Sequence, residues 1–124
     1  MNDRILNLTQ HFCTPAQTKV GVEEPVFKAQ VQNLITFKEI PTEMGMKSRA
    51  QKLAYMCKED GYSAAMIGGA PFFMAILEDE LKKAGIKPVY AFSQRESIDK
   101  EMSDGSVQKV NVFKHIGFYE VKVN

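Results

Sequence analysis

Apolar and polar positions follow different rhythms along this chain, and each change of rhythm predicts an element. Arg4 to Thr9 holds Ile5, Leu6 and Leu8 in a short apolar run that ends in Thr9, Gln10 and His11. That predicts a strand followed by a loop. Thr14-Pro15-Ala16-Gln17 sets a hydroxyl at a capping position ahead of a proline, so a short helix is expected to about Lys19, closed by Gly21. Between Pro25 and Phe37 the positions Phe27, Val31, Leu34 and Ile35 have helical spacing. The longest helix is expected after Pro41 and Thr42. There Met46, Ala50, Leu53, Ala54 and Cys57 share one face, Lys47, Arg49, Lys52, Lys58 and Glu59 lie mostly on another, and Gly61 ends it.

Ala64 to Ile67 has no polar side chain to offer solvent, as suits a strand buried on both faces. Gly68 and Gly69 turn the chain, and from Phe72 the positions Phe73, Ile76, Leu77 and Leu81 form the apolar side of a helix whose other side is Glu78, Asp79, Lys82 and Lys83. Pro71 suits its first turn, and Gly85 suits the left-handed residue that ends it. Pro88 to Phe92 reads as the next strand. The β-α-β unit so formed crosses over right-handed and makes its two strands parallel. Further on, Glu96 to Met102 and Val107 to Phe113 flank Ser103-Asp104-Gly105-Ser106, and Asp-Gly is a hairpin signal. Phe118 to Val123 either extends the second arm or pairs as one more strand. The expected fold is α/β: a single, small, three-layer-like domain over residues 1–124, with a mixed sheet made of a parallel β-α-β core and a C-terminal antiparallel hairpin.

A chain of 124 residues can bury a core by itself and leaves no room for a separate regulatory module. Its 16 Lys and Arg stand against 15 Asp and Glu, a net charge of +1. Nothing in that balance suits duplex nucleic acid or an anionic membrane surface, so a small, locally recognised ligand is the expected partner. Cys13 and Cys57 form no C-x-x-C pattern, and Met1-Asn2-Asp3-Arg4 leads into no signal-peptide core, so a cytoplasmic protein is expected. No apolar run approaches the roughly 18 residues of a membrane span.

The double glycine brings in chemistry. Gly68 and Gly69 leave no side chain between a ligand and the N–H groups at the start of the next helix, a place that attracts anions. An ordinary tight turn explains them equally well, and they are part of neither G-x-G-x-x-G nor a Walker motif. Ligands of open α/β sheets lie outside the carboxyl ends of the strands, where three loops are expected. They carry Gln10 and His11, then Gly68 and Gly69, then Ser93, Gln94 and Arg95 up to Ser97. Backbone donors, a cationic fork and neutral hydrogen-bonding groups together suit a nucleotide. Phe72, Phe73, Phe92 and Phe113 are candidates for a stacking face, Phe72 ahead of Phe73 because the latter sits at core spacing. Asn111, with Lys114 and His115, joins the candidates if the hairpin folds over the pocket. For each there is a plainer role: a salt bridge to Glu96 for Arg95, loop hydrogen bonds for His11, a solvated strand face for Asn111. No metal site, cofactor or catalytic pair is expected, since the two histidines lie far apart, His11 and Cys13 form no nucleophile pattern, and no acid faces a base.

The blocks Ile5-Leu6-Asn7-Leu8-Thr9-Gln10-His11 with Thr14-Pro15, Met66-Ile67-Gly68-Gly69-Ala70-Pro71-Phe72, and Tyr90-Ala91-Phe92-Ser93-Gln94-Arg95-Glu96-Ser97 carry a likeness over nearly the whole length. In them the chain resembles the first described family of phage anti-Thoeris proteins, sponges for a bacterial immune signal. The resemblance implies a non-enzymatic protein that binds and sequesters glycocyclic ADP-ribose made by TIR-domain proteins, in the cytoplasm of an infected bacterium. It also implies a homo-oligomer built from dimers, with pockets near subunit interfaces. A small nucleotide-processing enzyme, with His11 or His115 as acid or base, is the alternative reading.

Overall fold

The computed structural model describes residues 4–122. In chain order the elements are β1 (Ile5–Asn7), α1 (Pro15–Lys19), β2 (Val22–Glu23), α2 (Lys28–Ile35), α3 (Glu43–Glu59), β3 (Ala64–Met66), α4 (Pro71–Lys83), β4 (Lys87–Glu101) and β5 (Val107–Glu120). They build one five-stranded sheet in the order β2-β1-β3-β4-β5. The first four strands run parallel, with Ile5 beside Val22 and Ala64, and Met66 beside Val89. The fifth returns antiparallel along β4. From β1 the chain first steps outward to β2 and later to β3 on the other side, so the strand order reverses between β1 and β3.

Alternation along the short strands feeds two apolar layers. Leu6, Leu8, Ala65 and Ile67 face α2, α3 and α4, where they meet Val31, Ile35, Ala50, Leu53, Cys57, Phe73, Leu77 and Leu81. Ile5, Val22, Ala64, Met66 and Val89 form a smaller cluster on the opposite face, with Cys13 and Phe118 against it. Helix α1 packs beside β2 there, which makes the second cover thin. The α/β architecture expected from the sequence is the one observed.

Caps explain the helix starts. The Thr14 side chain accepts from the backbone of Gln17 while the Gln17 side chain accepts from the backbone of Thr14, a capping box that holds even a five-residue helix. Thr42 caps α3 through the N–H of Gly45. Helix α2 begins at Lys28, later than the Pro25 boundary suggests, with no side-chain cap. Strand β2 is an element the sequence reading lacks: two residues are too few to show a period.

One expectation is corrected. Ser93 to Ser97 are no loop on the rim; they lie inside β4, paired across to β5 from His115 through Lys114 and Phe113 to Asn111. The polar run looks like a loop because this part of the hairpin leaves the body and has no buried face to demand apolar residues. Strands of 15 and 14 residues carry the arm, joined through the Met102–Ser106 turn. Phe118 extends its second strand, which ends at Glu120; Val123 lies outside the described residues.

Candidate functional site

Where the strand order reverses, the loops after β1 and β3 diverge and leave a cleft at the carboxyl ends of the strands, the usual ligand position in an open parallel sheet. Its volume is about 300 Å³, and Thr9, His11, Phe12, Thr14, Gln17, Met66, Ile67, Gly68, Tyr90 and Ala91 line it.

A polar knot beneath the cleft fixes the first of these loops. Asn7 is fully buried at the end of β1. Its amide nitrogen donates to the His11 carbonyl at 2.7 Å and to Glu24 at 3.0 Å, and its oxygen accepts from the Thr9 N–H and hydroxyl. Lys28 donates to the carbonyls of Thr9 and His11 and to Glu24. Burial alone raises a carboxyl, but hydrogen bonds from Cys13, Lys28 and Asn7 outweigh it and hold Glu24 down to about 2. The same surroundings push the Cys13 thiol up to about 12, burial first, then its hydrogen bond to Glu24 and the Glu24 charge, so the thiolate is disfavoured. The loop's shape is thus set by side chains from β1 and from the segment after β2.

The other wall is glycine. Gly69 has φ of 144°, a conformation that side chains rarely adopt. Gly68 has a different reason: a Cβ there would meet the Thr9 methyl at 3.7 Å, ordinary contact, so its absence serves openness toward the cleft. Helix α4 starts immediately after at Pro71 without a side-chain cap; Pro71 has no N–H and the Phe73 N–H donates to the Ala70 carbonyl at 3.0 Å, which leaves the Phe72 N–H as the first-turn group open to an acceptor.

Of the candidates read from the sequence, His11 and Gly68 line this cleft, and Gly69 adjoins it. Gln10 turns away and donates to the Thr36 hydroxyl. Phe72, 54% exposed, meets the Phe37 ring edge-on at 5.3 Å and borders a second, apolar hollow with Ile40, Pro41 and Met46. Ser93, Gln94, Arg95 and Asn111 lie out on the arm, with Arg95 about 20 Å beyond Val89 at ~3.3 Å per residue. Beyond His11 and Gly68, Thr9, Phe12, Thr14 and Gln17 after β1, Met66 and Ile67 at the end of β3, and Tyr90 and Ala91 of β4 line the cleft without being site candidates from the sequence. Thr9 stood in a quoted block, and Thr14 and Gln17 were visible only as a helix cap.

A larger hollow of about 710 Å³ lies between α2, α3 and the segment joining them. Lys38 and Arg49 are the cations that line it; one Arg49 guanidinium nitrogen donates to the carbonyls of Asn33, Leu34 and Thr36, and the group stacks 4.5 Å over Phe37. That arginine closes the end of α2. The smaller cleft, at the reversal of the sheet, is the better candidate.

A family model matches residues 3–119. The chain belongs to the family it describes, the "Uncharacterized protein MJ1673 family". No curated protein and no solved structure matches it. In this chain the matched stretch takes in β1, the double glycine and nearly all of the hairpin arm. Among the described residues no helix is long and apolar enough to cross a membrane, and no group of three or more His, Cys, Asp or Glu is placed to hold a metal.

Proposed function

We propose that this protein binds a nucleotide of the cyclic ADP-ribose type, with its phosphate end in the β1/β3 cleft, and holds it without cutting it. The observation that supports this most is the wall at Gly68: open backbone beside an uncapped helix start, at the reversal of a parallel sheet. Beyond their capping bonds Thr14 keeps its O–H and Gln17 its amide N–H groups, donors suited to ribose, and Phe12, 72% exposed at the cleft edge, offers a face to a base. The cleft holds a part of such a ligand, and the rest extends over the open rim toward Gly69.

The resemblance narrows the ligand to glycocyclic ADP-ribose and the role to blocking TIR-dependent defence by sequestration. As part of the same proposal the protein is a homo-oligomer of dimers acting in the bacterial cytoplasm. The enzyme reading has one observation in its favour, the position of His11 at the cleft. A single experiment separates the two: incubate purified protein with glycocyclic ADP-ribose, remove free ligand, heat, and analyse what is released. Intact ligand at a stoichiometric amount is the expected result. A hydrolysed or linearised product in the free fraction or in the heat-released one supports the enzyme, and intact ligand found wholly in the free fraction removes both.

A further inference from the structure

We propose that the outer edge of β4, from Ser93 to Glu101, pairs antiparallel with the same edge of a second copy, and that alternating charges along it select that partner. This names a surface for the self-association already proposed, on which it rests for the identity of the partner, and it is read by mass and not by ligand, so it fails separately from the nucleotide reading.

The hydrogen-bond phase of the arm defines the edge. Val121 donates to Pro88 and Met102 donates to Ser106, so those pairs, and every second pair between the arm's ends, turn their backbone groups inward. On the arm the alternate residues Ser93, Arg95, Ser97, Asp99 and Glu101 therefore point their N–H and C=O groups away from β5. Strand β3 stops at Met66, beside Val89, and Ile67 adds one last bond to the Val89 carbonyl. Beyond that point nothing among the described residues pairs with β4. An open strand edge of this length is a template for another strand, and a two-stranded ribbon alone in water is marginally stable.

The residues on this edge are complementary to themselves. An antiparallel pairing with the twofold axis at Ser97 sets Ser97 against Ser97 of the second copy, Arg95 against its Asp99, and Ser93 against its Glu101. The intervening positions place Glu96 beside Ile98 and Gln94 beside Lys100. No like charges face each other, and two Arg–Asp pairs form around the axis. The other edge of the arm lacks this property, because β5 carries Lys109 and Lys114 and no acid between Val107 and His115, a charge pattern that discourages strand addition. The arm also leaves Phe92 at 59%, Ile98 at 44% and Phe113 at 71% exposed, more apolar surface than a free ribbon in solvent calls for.

Charge reversal tests this directly. In sedimentation or light scattering over a concentration series, the wild type is expected at two copies or an even multiple. Arg95→Asp and Asp99→Arg, each alone, oppose like charges across the axis and should raise the dimer dissociation constant by about tenfold or more. The double variant Arg95→Asp with Asp99→Arg should restore it. Residues four apart on one strand stand about 13 Å from each other, so rescue reports contact between copies. Ser97→Cys should give a disulfide-linked dimer on mild oxidation. A monomeric wild type, single reversals without effect, a double variant no better than either, or no linkage through position 97 each overturn the proposal.

Discussion

The Glu24 carboxylate lies 3.0 Å from the buried amide of Asn7, and through it the segment after β2 holds the loop after β1. Lys28 joins the same carboxylate at 3.0 Å. Glu24→Gln keeps the size and loses the charge that the amide, the ammonium and the Cys13 N–H all point at. It should destabilise the fold at neutral pH by roughly 1.5–3 kcal/mol, as for hydrogen bonds to a charged group. The pH dependence has a definite sign. The folded value of about 2 lies below the ordinary 4.5, so the contribution is fully present above about 4.5 and is lost as pH falls toward 2. Urea titrations of wild type and Glu24→Gln should therefore converge as the pH is lowered from 7 to 2.5; parallel curves would contradict this role.

Gly68 and Gly69 should part company on substitution. Gly69→Ala forces a side chain into φ of 144° and should lower stability by about 1–3 kcal/mol. Gly68→Ala meets only the Thr9 methyl at 3.7 Å and should melt with the wild type. Its effect belongs to binding, since the new methyl stands between a ligand and the backbone. Calorimetry with glycocyclic ADP-ribose, beside a thermal melt of each variant, reads both, and a Gly68→Ala protein that binds as well as wild type would remove the glycine wall from the site.

The parts of the fold that sequence conveyed were those in which local and tertiary demands agree. Ala64 to Ile67, Pro71 and Gly85 each have one reading, because burial on both faces, a missing N–H and a left-handed φ are requirements few residues meet. The candidate site was less legible. His11 and Gly68 could be found from their places after strands, but Asn7 looked like a strand residue and no local pattern marks Glu24, and only the β1–β2 pairing brings them together. Ser93 to Ser97 misled for the reverse reason: composition signals a loop wherever polar residues cluster, and a strand with both faces in solvent clusters them too.

Phe72 and Phe73 are adjacent, and both meet Phe37 edge-on, at 5.3 and 5.2 Å. Their burial differs: Phe73 is fully enclosed and Phe72 is 54% exposed. Phe73→Ala should therefore cost about 3–5 kcal/mol, as for other buried aromatic truncations. Phe72→Ala should cost less than about 1.5 kcal/mol, the scale of one aromatic pair. Equal midpoint shifts in denaturant would show that the two rings share one packed unit.

Both cysteines should be slow to react. Burial pushes Cys13 and Cys57 up to about 12, helped at the first by the hydrogen bond to Glu24 and its charge and at the second by the charge of Asp60. At pH 8 neither thiol supplies much thiolate. Labelling with a disulfide reagent is expected to proceed slowly in the native protein and to completion within the mixing time in denaturant. Rapid labelling of one thiol without unfolding would show that its surroundings open.

At the base of the arm, Phe92 pairs with Gly117 and Ser93 with His115, so Ile116 has no counterpart on β4. The side chains of β5 change phase there. Toward the body, residues 117 and 119 share a face, while toward the tip that face passes to residues 114, 112 and 110. A strand that changes phase can lose its extra residue without moving anything else: removing Ile116 leaves every other pair in place and regularises the ladder. Removing any one residue between Val107 and His115 instead slides part of the second strand against its partner and reverses the side chains beyond the cut. Length variation along this arm should thus be tolerated at one position and resisted over the nine that follow the turn, which makes Ile116 the joint at which body and arm can change independently.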